Sequence, residues 1–488
     1  MVSPEAKAKA AAGAPAIDAG SAEETVSCRW PLLVLFLGAA GWLVAGSLLG
    51  LLASIKFHSP MFLAEPAWLT YGRVKAASAA LLVYGFCVPT ALGVGLWLMS
   101  RLGRVALAGP VLAGFGGGLL HAGVAVGLVG VLRGDGTGFL HLEFPAGAAG
   151  LVFLGYLLLG TVGVLTLYRR REARMEAAQW FVLAGLFWFG WIYSTANLCL
   201  LVFPVRGVAQ AAINYWHTGN LLGVWMGLMG LGTVFALLPR LAGREPGREY
   251  VAMFVFWVLL LFGSWTGIPA TAPLPAWMPA LSTVGTVLSG LGVLGVAVIV
   301  HQTLAGRYGS VWRDERLRFL GLGVAAYVVG GVMQVVEALS GRSWMLHFTW
   351  FTAAREWMQV YGYLALVMFG TVYAIVPALV GVDWWSRRFL RLHFWLAGAG
   401  LLFVAAPLAA GGVVEAARLL NPALGFVEVS RGTLMFLRLS TIGELLILAG
   451  NGLFFVNLAG TVAGICRRAL ADALRRWGAE TTGEGAAA

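Results

Sequence analysis

Pro31 to Ile55 reads PLLVLFLGAAGWLVAGSLLGLLASI, a run of 25 residues without one ionisable side chain. A helix needs about 20 apolar residues to cross the hydrocarbon of a bilayer. In that medium every backbone polar group must be bonded within its own segment, so the run is read as a membrane helix. The same window moved along the chain finds twelve candidates, near 31–55, 77–100, 105–132, 147–168, 178–203, 214–239, 250–269, 279–303, 318–340, 356–381, 393–416 and 433–465. The expected fold class is therefore all-α, a polytopic membrane protein of twelve transmembrane helices. An even number puts both termini on one side.

Composition agrees. Of 488 residues 59% are hydrophobic and 11% charged, too few ionic groups to solvate a water-soluble fold of this size. The 67 glycines and 20 tryptophans suit a bundle in which small residues bring helices close and aromatics sit at the interfaces. Cys28, Cys87, Cys199 and Cys466 are too scattered for a disulfide framework or a zinc or iron–sulfur motif.

Sorting the basic residues by loop orients the bundle, because cytoplasmic loops hold the excess of Lys and Arg. Of 33 basic residues, 23 fall on one face, including Arg169–Arg171, Arg387, Arg388 and Arg391, and they share that face with both termini. The opposite loops hold only Lys56, Arg73, Lys75, Arg133, Arg206, Arg342, Arg355, Arg418 and Arg431. Both termini are thus expected in the cytoplasm. The net charge of +11 reads as topology and contact with the lipid bilayer, with no support for nucleic-acid binding. The division expected is a disordered cytoplasmic tail over 1–27, the helical domain over 28–467 and a cytoplasmic tail over 468–488. Short loops leave no room for a separate soluble domain, so function must lie inside the bundle, at its faces or with partners.

Ionisable groups inside spans are expensive and are site candidates by default. Glu337 in the ninth span has two readings, a proton carrier or a carboxyl hydrogen-bonded near the outer helix end. Arg438 in the last span reads as an anchor snorkelling outward. Haem or copper would need imidazoles, yet the seven histidines include no pair at helical spacing. His58, His141, His217 and His347 fall at or near the outer face by topology, His301 and His393 near the inner one, and only His121 is mid-span; the interface histidines are read as hydrogen-bonded surface residues. The aromatics from Trp180 to Tyr193 read as packing. No phosphate-binding loop, nucleophile elbow or His-Glu-x-x-His motif is present.

Several stretches occur in an order that resembles subunit I of the cbb-type haem–copper oxidases, the cytochrome c oxidase branch related to the nitric oxide reductase large subunit. They are Leu69-Thr-Tyr-Gly-Arg73, Gln179-Trp-Phe-Val-Leu-Ala-Gly-Leu-Phe-Trp188 with Tyr193-Ser-Thr-Ala-Asn197, Asn214-Tyr-Trp with Asn220-Leu-Leu-Gly, and Leu238-Pro-Arg with Gly243-Arg-Glu-Pro246. Met333-Gln-Val-Val-Glu337, Val372-Tyr-Ala-Ile-Val-Pro377 and His393-Phe-Trp-Leu-Ala397 complete the set, which covers roughly 65–460. The resemblance implies a twelve-helix bundle in a bacterial inner membrane, working in aerobic respiratory electron transport. The family's activity is oxygen reduction coupled to proton pumping.

The resemblance also implies haem b and copper, held by histidines on the second, sixth, seventh and tenth helices, and here the chain departs from it. The second-helix ligand falls at Ser78, the sixth-helix copper ligand at Gly219, the seventh-helix pair at Ala270 and Thr271, and the tenth-helix pair at Arg355 and Trp357. None offers an imidazole. His347 aligns with a family histidine near the haem propionates, Glu337 with a glutamate near the oxygen-reducing centre and His393 with a scaffold histidine; Arg438 is a further retained polar residue. His217, two residues before the vacated copper position, points about 200° away around a helix.

The expectation is a ligand-depleted homologue, a structural or regulatory subunit without cofactors of its own. Its partners would be other integral subunits of a respiratory complex or a membrane-anchored cytochrome c. The alternatives are an active oxidase or nitric oxide reductase with rearranged ligands, which would carry haem b and copper, and a membrane transporter.

Overall fold

The structure is a computed structural model that describes residues 20–339 and 345–481. Most of the expected N-terminal tail, the last seven residues and Arg342 lie outside the described residues. Those described form helices and connecting turns, with no strand among them. Eleven helices are long and apolar enough to cross a membrane: α1 (Ala22–His58), α2 (Tyr71–Gly103), α3 (Pro110–Arg133), α4 (Ala146–Tyr168), α5 (Ala177–Val202), α6 (Val208–Leu241), α8 (Trp277–Leu304), α9 (Glu315–Ala338), α10 (Trp350–Val380), α11 (Arg387–Leu419) and α12 (Phe426–Thr481). The chain is a multi-pass membrane protein.

The seventh expected span differs. Its helix, α7, covers only Glu249–Trp265 and includes a terminal 3₁₀ turn. Gly263, Gly267 and three prolines between 269 and 275 end it early, since glycine weakens a helix and proline removes its donors. Both ends of the bundle also lie beyond the expected boundaries. α1 starts at Ala22, where the Ser21 hydroxyl accepts from Glu24 N at 3.2 Å and Glu23 and Glu24 occupy the electropositive first turn. α12 continues to Thr481, past the boundary at 467.

Three helices form the centre. The most apolar windows of α2, α6 and α10 are 89%, 94% and 83% buried, against 33–50% for the other eight spans, whose remaining surface is left for lipid or partners. Each central helix widens into a π-helical stretch near its middle, Leu81–Cys87 in α2, Asn220–Trp225 in α6 and Met358–Ala365 in α10. Such stretches are rare and concentrate at functional sites. The outer helices pack on one another through small residues: a Cβ at Gly400 of α11 would lie 2.9 Å from the Gly443 carbonyl of α12, and one at Gly443 would lie 2.7 Å from the Gly400 carbonyl. Only glycine allows that approach, and in lipid, where helices gain little from hydrophobicity, close packing holds them together.

Candidate functional site

Two of the hollows against the central helices are lined by positions singled out in the sequence. The larger, about 130 Å³, is walled by α6, α8, α9, α10 and the turn after α7. Gly219, Ala270, Glu337, His347 and Arg355, far apart in sequence, all line it. The smaller, about 20 Å³, lies among α1, α2, α10 and α12, and Ser78 and Trp357 line it together. The positions singled out in the sequence thus divide between two chambers. Thr271 lines neither of them.

In the larger chamber the dominant feature is a buried ion pair. Arg355 Nε donates to Glu337 Oε2 at 2.6 Å, and the two side chains are 16% and 9% exposed. Thr352 Oγ1 donates to the other carboxylate oxygen at 2.5 Å, and His347 Nδ1 stands 3.8 Å from it. Arg355 Nη1 donates to Gln359 Oε1 at 3.0 Å, and Gln359 Nε2 passes the chain on to Gln334 Oε1 at 2.9 Å. The Glu337 carboxyl is thus hydrogen-bonded on both oxygens, a geometry compatible with either reading left open for it.

Gly219 shows a different kind of constraint. A Cβ there would lie 2.5 Å from the Thr266 carbonyl oxygen and 2.7 Å from Gly267 Cα. A Cβ at Gly267, whose φ is +108°, would lie 2.5 Å from the Tyr215 carbonyl. Helix α6 and the turn after α7 therefore meet backbone to backbone, leaving room for no side chain at 219.

The smaller chamber is closed by bonded polar groups and rings. Ser78 Oγ donates to the Gly46 carbonyl at 2.9 Å. Tyr361 OH donates to Asn451 Oδ1 at 2.9 Å, and Asn451 Nδ2 to Ser47 Oγ at 2.8 Å. The Trp357 and Tyr361 rings pack with centroids 5.9 Å apart, and the Glu444 carboxyl completes the wall. An apolar cavity of about 150 Å³ is what a single benzene needs, and 20 Å³ holds little more than one water.

The remaining sequence candidates lie elsewhere. His393 is buried in a ring cage, with centroids 4.6 Å from Phe369 and 5.0 Å from Phe319, and its Nδ1 is 3.0 Å from Tyr373 OH. Arg438 is exposed on the face of α12. The aromatic run of α5 is split, with Phe189 and Tyr193 buried and stacked at 5.0 Å, and Trp180, Phe187 and Trp191 turned outward.

The reading of His141 and His217 as surface-bonded histidines is corrected. Both are buried, and none of their four ring nitrogens has a hydrogen-bond partner. His141 sits in the loop between α3 and α4, which turns inward with a left-handed φ of +56° at His141. Tyr84 OH donates to its carbonyl, and its N–H donates to Glu143 Oε1 at 2.9 Å, while Glu143 Oε2 is unpartnered. Burial pushes the Glu143 carboxyl up to about 7 and the His141 imidazole down from its ordinary value. No local motif marks this cluster in the sequence, because loop depth is set by tertiary packing alone. Neither imidazole lines the two chambers. Among the described residues no group of three or more His, Cys, Asp or Glu side chains is arranged to hold a metal ion.

The chain belongs to the cytochrome c and quinol oxidase polypeptide I family, whose model matches residues 31–446. Among curated relatives it is similar to a cytochrome c oxidase subunit 1 homolog of Azorhizobium caulinodans, 24% identical over 88% of this chain and 82% of the relative. It is also similar to the cbb3-type cytochrome c oxidase subunit CcoN1 of Stutzerimonas stutzeri, 22% identical over 77% and 81%. Its fold matches a haem–copper terminal oxidase dimer solved by cryo-EM, with a TM-score of 0.72 at 15% identity, over 89% of this chain and 84% of that one.

Proposed function

We propose that this chain is a ligand-depleted member of its family, which carries out no oxygen reduction itself and serves as a structural or regulatory subunit of a respiratory complex. In this reading Ser78, Gly219, Ala270, Thr271, Arg355 and Trp357 stand where relatives hold haem and copper. The donors present do not fit those groups. Hydroxyl, methyl, guanidinium and indole are not the neutral imidazoles such centres use, and Gly219 has no space for a ligand of any kind. The observation that carries the proposal is the Arg355–Glu337 ion pair, a fixed positive charge engaged by a buried carboxylate where an iron ligand would stand. The π-helical stretches beginning directly after Gly219 and Trp357 support descent from a ligand-bearing frame.

The bundle completes twelve crossings where α7 crosses a locally thinned bilayer, and the excess of basic residues in alternate loops supports both termini in the cytoplasm of a bacterial inner membrane. Its partners in this reading are other integral subunits or a membrane-anchored cytochrome c. The test is a reduced-minus-oxidised spectrum of the purified full chain. A flat difference in the haem region supports the proposal, and a stoichiometric b-type signal refutes it.

A further inference from the structure

Helix α12 does not stop where its apolar span does. No charge occurs between Glu444 and Arg467, after which Arg468 follows and the helix runs on to Thr481. Every residue from Cys466 to Ala471 is exposed. At about 100° per residue those positions take in the whole circumference of the helix, so it stands clear of the bundle on every side. The match to the family model ends at residue 446, and this stretch lies beyond it.

Its apolar face calls for a covering element. Leu470 and Leu474 are 61% and 57% exposed, and with Cys466 they recur at every fourth residue, which places them on one side of the helix. A helix as short as this extension is marginal in water by itself, and most helical stability comes from packing an apolar face. Charge then selects what covers it. The stretch holds Arg467, Arg468, Arg475 and Arg476 against Asp472 and Glu480. Two copies of so basic a surface repel one another, and the complementary face is acidic. The bilayer lies out of reach. The helix is continuous from Phe426, so it leaves along the axis of its span. At 1.5 Å per residue Leu474 stands about 12 Å past Cys466, beyond a headgroup layer of about 5–8 Å.

We propose that α12 from Cys466 onward is a docking site for an acidic amphipathic helix of a partner protein. This docking does not depend on haem content. The experiment uses the full chain in nanodiscs of zwitterionic lipid, with empty nanodiscs as the control. The probes are two labelled three-heptad peptides with leucine at a and d, one carrying glutamate at e and g and the other lysine. Fluorescence anisotropy is expected to show saturable binding of the acidic peptide, at least tenfold tighter than that of the basic one. Leu470→Ser with Leu474→Ser should weaken it at least tenfold, and Arg467→Glu with Arg468→Glu should reverse the preference between the peptides. All four side chains are exposed, so both variants keep the fold. No saturable binding, equal binding of the two peptides or undiminished binding by either variant overturns the proposal. Two other occupants would overturn it as well. A full chain that passes from dimer to monomer on Leu470→Ser with Leu474→Ser would show a second copy on this face. Amides 466–474 that gain hydrogen-exchange protection from anionic lipid alone would show the bilayer on it.

Discussion

Arg355 on α10 donates to Glu337 on α9 at 2.6 Å, and the pair is largely buried with each member held by a further side chain. Removing one partner of a buried pair leaves an uncompensated charge and costs about 3–5 kcal/mol. Glu337→Leu and Arg355→Met should each destabilise the bundle by that amount in denaturant titrations in mixed micelles. The double variant should recover most of the loss, because replacing both charges by apolar groups is often neutral. A double variant as unstable as the sum of the singles would show that the two do not act as a unit.

Gly219 predicts a steric penalty. Gly219→Ala should cost at least the roughly 1–3 kcal/mol of an overpacked core, because the obstacles are the Thr266 carbonyl and Gly267 Cα, which cannot rotate away. Gly219→His should be worse and should not create a copper site. Thermal unfolding monitored by intrinsic fluorescence checks the first point, and metal analysis after copper loading checks the second.

Tyr361→Phe keeps the ring that packs against Trp357 and removes only the hydroxyl bonded to Asn451. Asn451 Oδ1 then lies buried without a donor, at a cost of about 1–3 kcal/mol. Tyr361→Phe with Asn451→Leu together should cost less than Tyr361→Phe and Asn451→Leu summed. Additive losses would remove the hydroxyl–amide bond from the account.

Buried Glu143 predicts a pH dependence. Its carboxyl titrates near 7 in the fold against about 4.5 when unfolded, so the fold holds a proton that the unfolded chain releases in between. The stabilisation is complete below about pH 4.5 and is lost as pH rises through 7, with a slope of at most about 1.4 kcal/mol per pH unit. His141, held below its ordinary value, acts in the opposite sense and destabilises the fold as pH falls below about 6.5. Comparison with Glu143→Gln isolates the first effect: the wild type minus variant stability should decline from pH 5 to 7. A flat difference would contradict it.

The membrane architecture was legible because long runs such as 31–55 have one physical reading and because basic loops alternate with neutral ones along the chain. The shortened α7 was not, since the hydropathy of 250–269 conceals where Gly263 and the later prolines stop the helix. That Ser78 and Trp357 line one chamber, and Gly219, Ala270 and Arg355 another, could not be read from the chain alone, because it depends on which helices pack together. The Arg355–Glu337 pair was hidden because its members sit 18 residues apart on different helices. The burial of His141 and His217 was missed because depth along the membrane normal says nothing about distance from the bundle axis.

The direct test of the central claim is the haem content of the purified full chain, measured as haem per polypeptide by pyridine haemochrome alongside the difference spectrum. The account predicts a ratio near zero, unchanged after haem-replete expression. A ratio near one or two, surviving detergent washing and giving a b-type spectrum, would contradict it.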